Sequence, residues 1–186
     1  MQKYSPLSLF KRKAKALAKA QNLKLSVALD VLAKQSGFNH WHAAQAVAKV
    51  SPSDPRLLKA IFGIQDLSEA VYGSVYSDID LQLEDQLSGE IAETNASMFM
   101  IDELAPHDVN YDYGTGILEV QADVSYAGEQ DLDRVHYATA FYFEALIRLY
   151  WDGARWVLAS DDPIAIENLE SDQDRDWREQ KEAGLL

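Results

Sequence analysis

The feature that most constrains the fold is a strict alternation of apolar and polar side chains over residues 118–126. The apolar positions are Leu118, Val120, Ala122, Val124 and Tyr126, and the polar positions between them are Glu119, Gln121, Asp123 and Ser125. Successive side chains of a strand point to opposite faces of a sheet, so this run predicts an antiparallel strand with one buried and one solvated face. Such a strand requires paired neighbours and a cover over its apolar face.

The chain on the N-terminal side of this run is predicted to supply a neighbouring part of the sheet. Residues 98–104 predict a strand that ends at Pro106. Alternation resumes at Val109 and Tyr111 and leads into residues 112–116, where Asp, Gly and Thr residues indicate a tight reversal of the chain.

On the C-terminal side, residues 135–151 form a long aromatic segment. Its Ala, Leu and Glu residues are compatible with a helix, but its aromatic and β-branched content at alternating positions favours a strand. Asp152-Gly153 is a two-residue hairpin signal, and residues 155–159 are predicted to return as the last strand. Residues 97–166 are therefore expected to form an antiparallel meander of four or five strands.

Residues 1–62 have helical periodicity and predict a module of three or four short helices. Ser5-Pro6 combines a capping hydroxyl with a proline at the first helical position. A second helix is expected to stop at Gly37, and Asn39 is expected to cap a third. Asp54-Pro55 repeats the cap-plus-proline signal and predicts a fourth helix.

Three motifs in this module resemble a known family. They are Lys13-Ala14-Lys15-Ala16-Leu17, the Leu25-Ser26-x-Ala28-Leu29-x-x-Leu32-Ala33 stretch, and Gly37-Phe38-x-x-Trp41-His42. Together they resemble a short helical module found in bacteria, at the N-termini of glyoxalase-related proteins and of proteins encoded on plasmids and integrated elements. The match covers about 45 of the 186 residues. It implies the fold of the module and a mobile-element origin, and it implies no enzyme chemistry for the rest of the chain.

The connector, residues 63–96, contains sequence patterns typical of a helix and others typical of a strand. Asp66 and Glu69 form a capping box that starts a helix. Farther on, Ile79, Leu81 and Leu83 alternate as in a strand, whereas Leu83, Leu87 and Ile91 have helical spacing. A helix over residues 79–93 is favoured because the acidic residues there suit an exposed helical face, and it is the natural cover for the sheet.

The last segment, residues 167–186, is highly charged and predicts a C-terminal helix or tail. Trp177 is its one aromatic residue, and it is expected to dock on the body of the protein rather than on a partner. The whole chain is therefore predicted to be an α+β protein, with an N-terminal three- to four-helix module followed by an antiparallel β-meander domain covered by a helix.

The formal charge of −13 is divided unevenly along the chain. Residues 1–60 hold eleven Lys and Arg against two acids, whereas residues 61–186 hold six against twenty-eight. No Lys or Arg occurs between Ile61 and Asp133. This asymmetry predicts two surfaces that have different partners or that meet each other.

The first helix carries the candidate contact residues Lys11, Arg12, Lys15 and Lys19, with Lys13 beside them. Lysines four apart on a helix can neutralise several phosphates of a nucleic acid. The alternatives are a solvated face and a face that docks on the acidic domain. No aromatic-rich RNA-binding signature accompanies these residues.

Signatures of catalysis and metal binding are absent from the sequence. There is no cysteine, phosphate-binding Gly-rich loop, nucleophile elbow, His-Glu-x-x-His motif or calcium loop. His40 and His42 are two apart in a predicted helix, so they point to different sides and are expected to flank a buried Trp41 rather than bind metal. We therefore expect a protein that is not an enzyme, with no catalytic residue, metal site or cofactor.

These observations predict a cytoplasmic binding or regulatory protein encoded by a mobile element. No signal peptide is expected, and no apolar run approaches the roughly 18 residues that span a bilayer, so no membrane contact is expected. The basic module would contact nucleic acid or a partner, and the acidic domain would bind protein. One alternative is a decoy inhibitor whose acidic surface occupies a nucleic-acid-binding or defence protein. A weaker alternative is a metal-dependent enzyme that uses the carboxylates.

Overall fold

The computed structural model describes residues 3–133 and 138–184 of the chain. The helices are α1 Pro6–Gln21, α2 Leu25–Gln35, α3 Trp41–Val50, α4 Pro55–Phe62, a 3-10 helix Leu67–Tyr72, α5 Tyr76–Gln86, α6 Ser88–Glu93 and α7 Asp172–Glu182. The strands are β1 Ala96–Tyr111, β2 Ile117–Gln130, β3 Ala140–Trp151, β4 Trp156–Leu158 and β5 Ile164–Ser171. The predicted α+β fold, with N-terminal helices followed by an antiparallel meander, is confirmed.

Local capping signals define most of the helices in the N-terminal module. Ser5 caps α1, and its hydroxyl accepts a hydrogen bond from the backbone N–H of Ser8. Asp54 caps α4 in the same way, as predicted. The predicted cap of α3 is wrong by one residue: His40, not Asn39, is the N-cap, and its Nδ1 accepts from the backbone N–H of Ala43 at 3.2 Å.

Small residues set the close packing of the module. Ala14, Ala28, Ala33 and Ala44 are fully buried, one or more on each of the first three helices. Helix axes approach most closely where the side chains at the contact are small. Larger side chains such as Phe10 and Phe38 fill the space around these contacts. The basic module therefore contributes closely packed apolar side chains to the core.

The sheet is antiparallel, in the order β1-β2-β3, and the outer edge of β3 is shared by two strands. β4 pairs with the C-terminal end of β3, and β5 pairs with the remainder. β1 runs through Pro106 without ending, contrary to prediction. Because β1 is an edge strand, a proline there need not interrupt the pairing with β2.

The end of the chain differs from the prediction in two respects. β5 continues to Ser171, so a strand occupies the first residues of the segment expected to be helical or a tail. Helix α7 follows directly, with Ser171 as its N-cap. Trp177 does not dock on the body as predicted, since it is 58% exposed.

Helix α5 covers the apolar face of the sheet, as its helical spacing predicted. Its region contributes four side chains that are almost completely buried, namely Val75, Ile79, Leu83 and Leu87. The helix also covers the outer edge of β1: the backbone N–H of Ile101 donates to Asp80 at 2.9 Å. Tyr72 donates to the carbonyl of Leu104 at 2.7 Å. Unpaired groups on an edge strand invite pairing with another chain, and these bonds occupy two of them.

An aromatic junction joins the basic module to the sheet. Phe62, at the end of α4, lies with its ring centre 5.8 Å from Tyr111, 5.3 Å from Trp151 and 4.8 Å from Trp156. Nearby, the backbone N–H of Tyr4 donates to the carbonyl of Tyr113 at 3.2 Å. The module and the sheet consequently share one hydrophobic core.

The junction predicts a specific steric effect at Gly116, in the turn between β1 and β2. Gly116 has φ +81°, and a Cβ there would lie 2.7 Å from the ring of Tyr4. Gly116→Ala should lower the free energy of unfolding by about 2–4 kcal/mol, from backbone strain and overpacking together. Urea denaturation of the full chain measures this loss.

Gly63→Ala is the matched control for this prediction. Gly63 has φ +83° and no atom within 4 Å of the position of an added Cβ, so its loss should reflect backbone strain alone, about 1–2 kcal/mol. In a Tyr4→Ala background, Gly116→Ala and Gly63→Ala should lower the free energy of unfolding by the same amount. An unchanged excess cost of Gly116→Ala in that background would contradict the proposed contact.

Candidate functional site

The four predicted contact residues of α1 lie together on the side of the helix that faces away from the core. At about 100° per residue, Lys11, Arg12, Lys15 and Lys19 span about 100° of the helix surface. The buried residues of α1, which are Pro6, Leu9, Phe10 and Ala14, occupy the opposite side. Arg12, Lys15 and Lys19 are exposed, and Lys11 is half-buried. We call these four residues the basic strip.

The basic strip does not contact the acidic part of the chain. Within residues 3–133 and 138–184, no ion pair joins a cation of the strip to a carboxylate. Two of its cations lie near aromatic rings. The Lys11 ammonium is 5.9 Å from the ring centre of Trp41, and the Arg12 guanidinium is 6.0 Å from that of Tyr4. The strip is thus available to an external anion.

Lys13 lies elsewhere, although the sequence places it beside the strip. Two residues along a helix correspond to about 200°, so Lys13 is about 160° around α1 from Lys15. Burial lowers the pKa of the Lys13 side chain. Lys13 lines a cleft formed with α2 and α4, together with Arg56 and Lys59. This separation could have been predicted from the sequence, because it follows from the helical period.

The two histidines flank Trp41 at the start of α3, but they do not point to different sides as predicted: their ring centres are 6.1 Å apart, because His40 is the N-cap and lies outside the helix. Trp41 is half-buried and its ring stacks on Phe10 with centres 5.3 Å apart, whereas His40 and His42 are exposed. The backbone N–H of Trp41 donates to Asp30 at 2.8 Å, which fastens α3 to α2 and was not predicted. In the part of the chain that the structure describes, no three His, Asp or Glu residues form a group that could hold a metal ion.

A second candidate surface is the face of the sheet opposite α5. Asp123 on β2 is directly opposite Glu144 on β3, which is directly opposite Glu167 on β5. All three are exposed, and residues directly opposite on neighbouring strands point to the same face, so the three acids share this open face. We call Asp123, Glu144 and Glu167 the carboxylate row. The sequence predicted the polar parity of Asp123, but only the strand register aligns the three acids.

The carboxylate row has no Lys or Arg partner among the described residues. His107 approaches from the irregular part of β1, with Nε2 4.0 Å from Asp123. The amide of Asn168 donates to Glu144 at 3.3 Å. Like charges directly opposite on one face destabilise a sheet, so the row lowers the stability of the fold.

Among the described residues, arginine side chains pair with acids at the margins of the row. On one side, Arg148 pairs with Glu119 and with Asp162, at 3.3 Å each. On the other, Arg178 of α7 pairs with Glu170 at 2.9 Å, and this hydrogen bond lowers the pKa of the Glu170 carboxyl. These pairs leave the centre of the face negative.

The open face includes a groove of about 790 Å³ that ends at α7. Its acidic lining residues are Asp102, Glu103, Asp123, Glu144 and Glu170. Helix α7 is held beside the groove because Asp172 accepts from the backbone N–H of Thr139 at 3.0 Å and from its hydroxyl at 2.8 Å. Arg175 also lies 4.6 Å from the ring centre of Tyr142. The groove has the shape and charge to accept a cationic segment.

Comparison with known proteins provides no match: no family model, no curated protein and no solved structure matches this chain. Among the described helices, none has both the length and the apolar character needed to cross a bilayer.

The carboxylate row predicts that Glu144→Gln stabilises the protein. Glutamine keeps the acceptor for Asn168 and removes one of the like charges, so the free energy of unfolding should rise by about 0.2–1 kcal/mol at low salt. The gain should shrink as salt screens the remaining charges. Urea denaturation at two salt concentrations measures both effects.

Glu119→Gln is the control, because Glu119 lies on the same face but pairs with Arg148 at 3.3 Å. Its substitution should leave stability unchanged or lower it. The interpretation of the row fails if both substitutions have the same effect, or if the gain from Glu144→Gln is independent of salt.

Proposed function

We propose that the protein is a non-enzymatic binding or regulatory protein of a mobile element, acting in the cytoplasm. Its N-terminal module would bind nucleic acid through the basic strip, and its acidic sheet would bind a protein. The observation that carries this proposal is the basic strip itself: four cations on the outer side of α1 with no acidic partner among the described residues. A helix surface of this kind is suited to phosphate contacts.

The dimensions of the strip fit a nucleic-acid backbone. Lys11 and Lys19 are two turns apart, about 12 Å along the helix axis. Duplex DNA carries one charge for about every 1.7 Å of its axis, so four cations across this distance can contact several phosphates at once. Lysine binds phosphate as a point charge and reads no base, so the expected binding depends on the backbone rather than on sequence.

The acidic region should weaken this binding without abolishing it. Residues 61–186 carry an excess of twenty-two negative charges, which repel DNA as a whole. Repulsion between separated charges is screened within about 10 Å at moderate salt, whereas direct lysine–phosphate contacts persist at closer range. The full chain is therefore expected to bind weakly and with marked salt dependence.

The test is fluorescence anisotropy of a labelled duplex with the full chain over a salt series. We expect the Lys11→Gln/Lys15→Gln/Lys19→Gln variant to lose affinity, and the slope of log K against log salt to become shallower by about 3, from three lost phosphate contacts. The proposal is overturned if the unmodified chain does not bind at low salt.

The matched control replaces three exposed lysines of the same module, as Lys24→Gln/Lys34→Gln/Lys49→Gln. It removes the same charge from positions outside the strip. It should retain most of the affinity and the slope. Equal losses in the two triple variants would show that total charge, rather than the strip, attracts DNA.

A second candidate function is that of a decoy inhibitor acting through the acidic face. The specific observation in its favour is the carboxylate row, in which three aligned acids lower stability and lack a Lys or Arg partner among the described residues. A groove beside the row could hold a basic segment of a nucleic-acid-binding or defence protein. This function predicts that the full chain does not bind DNA.

A labelled arginine-rich peptide tests the decoy function by direct titration at several salt concentrations. The Asp123→Asn/Glu144→Gln/Glu167→Gln variant should bind the peptide more weakly than the unmodified chain. The Asp85→Asn/Glu90→Gln/Glu93→Gln variant, with the same change of charge on α5 and α6, should bind as before. The assignment to the open face fails if both variants lose affinity equally.

A further inference from the structure

A cleft in the basic module is positively charged, whereas the chain as a whole has a net negative charge. It has a volume of about 580 Å³ and lies where α1, the C-terminal end of α2 and α4 meet. Its polar lining residues are Lys13, Gln35, Ser36, Arg56, Lys59 and Gln65. The lining contains three cations and no carboxylate, in a chain with thirty acidic residues. We call it the cationic cleft.

Arg56 is held rigidly at the edge of the cleft. Its Nε and Nη2 donate to the two oxygens of Asp54 at 3.0 and 2.9 Å, and its guanidinium lies 4.4 Å from the ring centre of Phe38. This hydrogen bond from Arg56 also lowers the pKa of Asp54. Because Asp54 uses one side of the planar guanidinium, Nη1 keeps its donors for another acceptor.

Lys13 and Lys59 have no such partner. Neither forms an ion pair within the described ranges, residues 3–133 and 138–184. Partial burial lowers the pKa of Lys13, although the residue remains exposed to solvent, and no carboxylate of the described residues pairs with its ammonium. A bound anion would supply the missing charge for both lysines.

The neutral residues of the cleft are suited to the same kind of ligand. Gln35 and Gln65 provide amide donors at its rim, while the hydroxyl of Ser36 is already used by the carbonyl of Leu32 at 2.7 Å. Leu32, Pro55 and Ala60 add an apolar wall. The volume lies within the range of about 300–1,000 Å³ that is typical of small-molecule sites and exceeds the need of a simple inorganic ion.

We propose that the cationic cleft binds a terminal phosphate group, carried by a ligand of about nucleotide size. Lys13, Lys59 and Nη1 of Arg56 would hold the phosphate oxygens, and the apolar wall would contact the remainder of the ligand. Lys13 lies on another side of α1 from the basic strip, so this site is separate from the proposed backbone contact. Its ligand is either a free nucleotide or the phosphorylated end of a nucleic acid, which share this chemistry.

Calorimetric titration of the full chain with pyrophosphate and with ADP, at constant ionic strength, tests the site. We expect saturable binding of at least one of them, or selective binding of a short duplex with a 5′-phosphate over the same duplex with a 5′-hydroxyl. The first result identifies a free ligand, and the second identifies a nucleic-acid end. Absence of all three kinds of binding at millimolar concentrations and low salt overturns the proposal.

Substitutions assign the binding to the cleft. Lys13→Gln and Lys59→Gln should each reduce affinity about tenfold, the typical loss for one hydrogen bond to a charged group. Lys13 and Lys59 are both exposed, so neither substitution should lower the melting temperature, and lost binding would not reflect unfolding. Lys49→Gln, an equal change of charge outside the cleft, should bind normally. Equal losses in all three variants would overturn the assignment.

Discussion

The structure depends on the packing of Phe62 against the aromatic residues at one end of the sheet. Without this junction the four short helices would be joined to the sheet by the connector and by the contacts of Tyr4 with Tyr113 and Gly116. The junction is stabilised by ring packing rather than by hydrogen bonds, because the hydroxyl of Tyr111 and the indole N–H of Trp156 are buried without a partner among the described residues. Burial also raises the pKa of Tyr111 to about 12, so the ring stays neutral at physiological pH.

This shared core holds surfaces of opposite charge at fixed positions on one body. The basic strip and the cationic cleft belong to different sides of α1, whereas the carboxylate row belongs to the face of the sheet that α5 leaves open. Helical and strand periods create this separation, since each element must turn its apolar side toward the core. The polar side chains on the other side are then free to form a surface of one sign.

The sequence predicted the features that are encoded locally. Alternation at residues 118–126 defined β2, and the caps at Ser5 and Asp54 defined helix starts. Features set by neighbours in space were missed. Whether Pro106 ends a strand depends on whether that strand lies at an edge, and the alignment of Asp123 with Glu144 depends on register. The basic strip follows from helical period, but its lack of an acidic partner required the packing of the module on the sheet.

The unneutralised negative charge has a consequence for a protein that would bind nucleic acid at the basic strip and a protein partner at the acidic sheet. A cationic segment bound at the carboxylate row would remove part of the negative field that opposes DNA at the basic strip. Each ligand would then favour the other, and linkage requires the two effects to be equal in free energy. Salt screens such an effect over about 10 Å, so the coupling would be strongest at low ionic strength. Under this mechanism the acidic domain regulates DNA binding through its net charge, with no change in the fold.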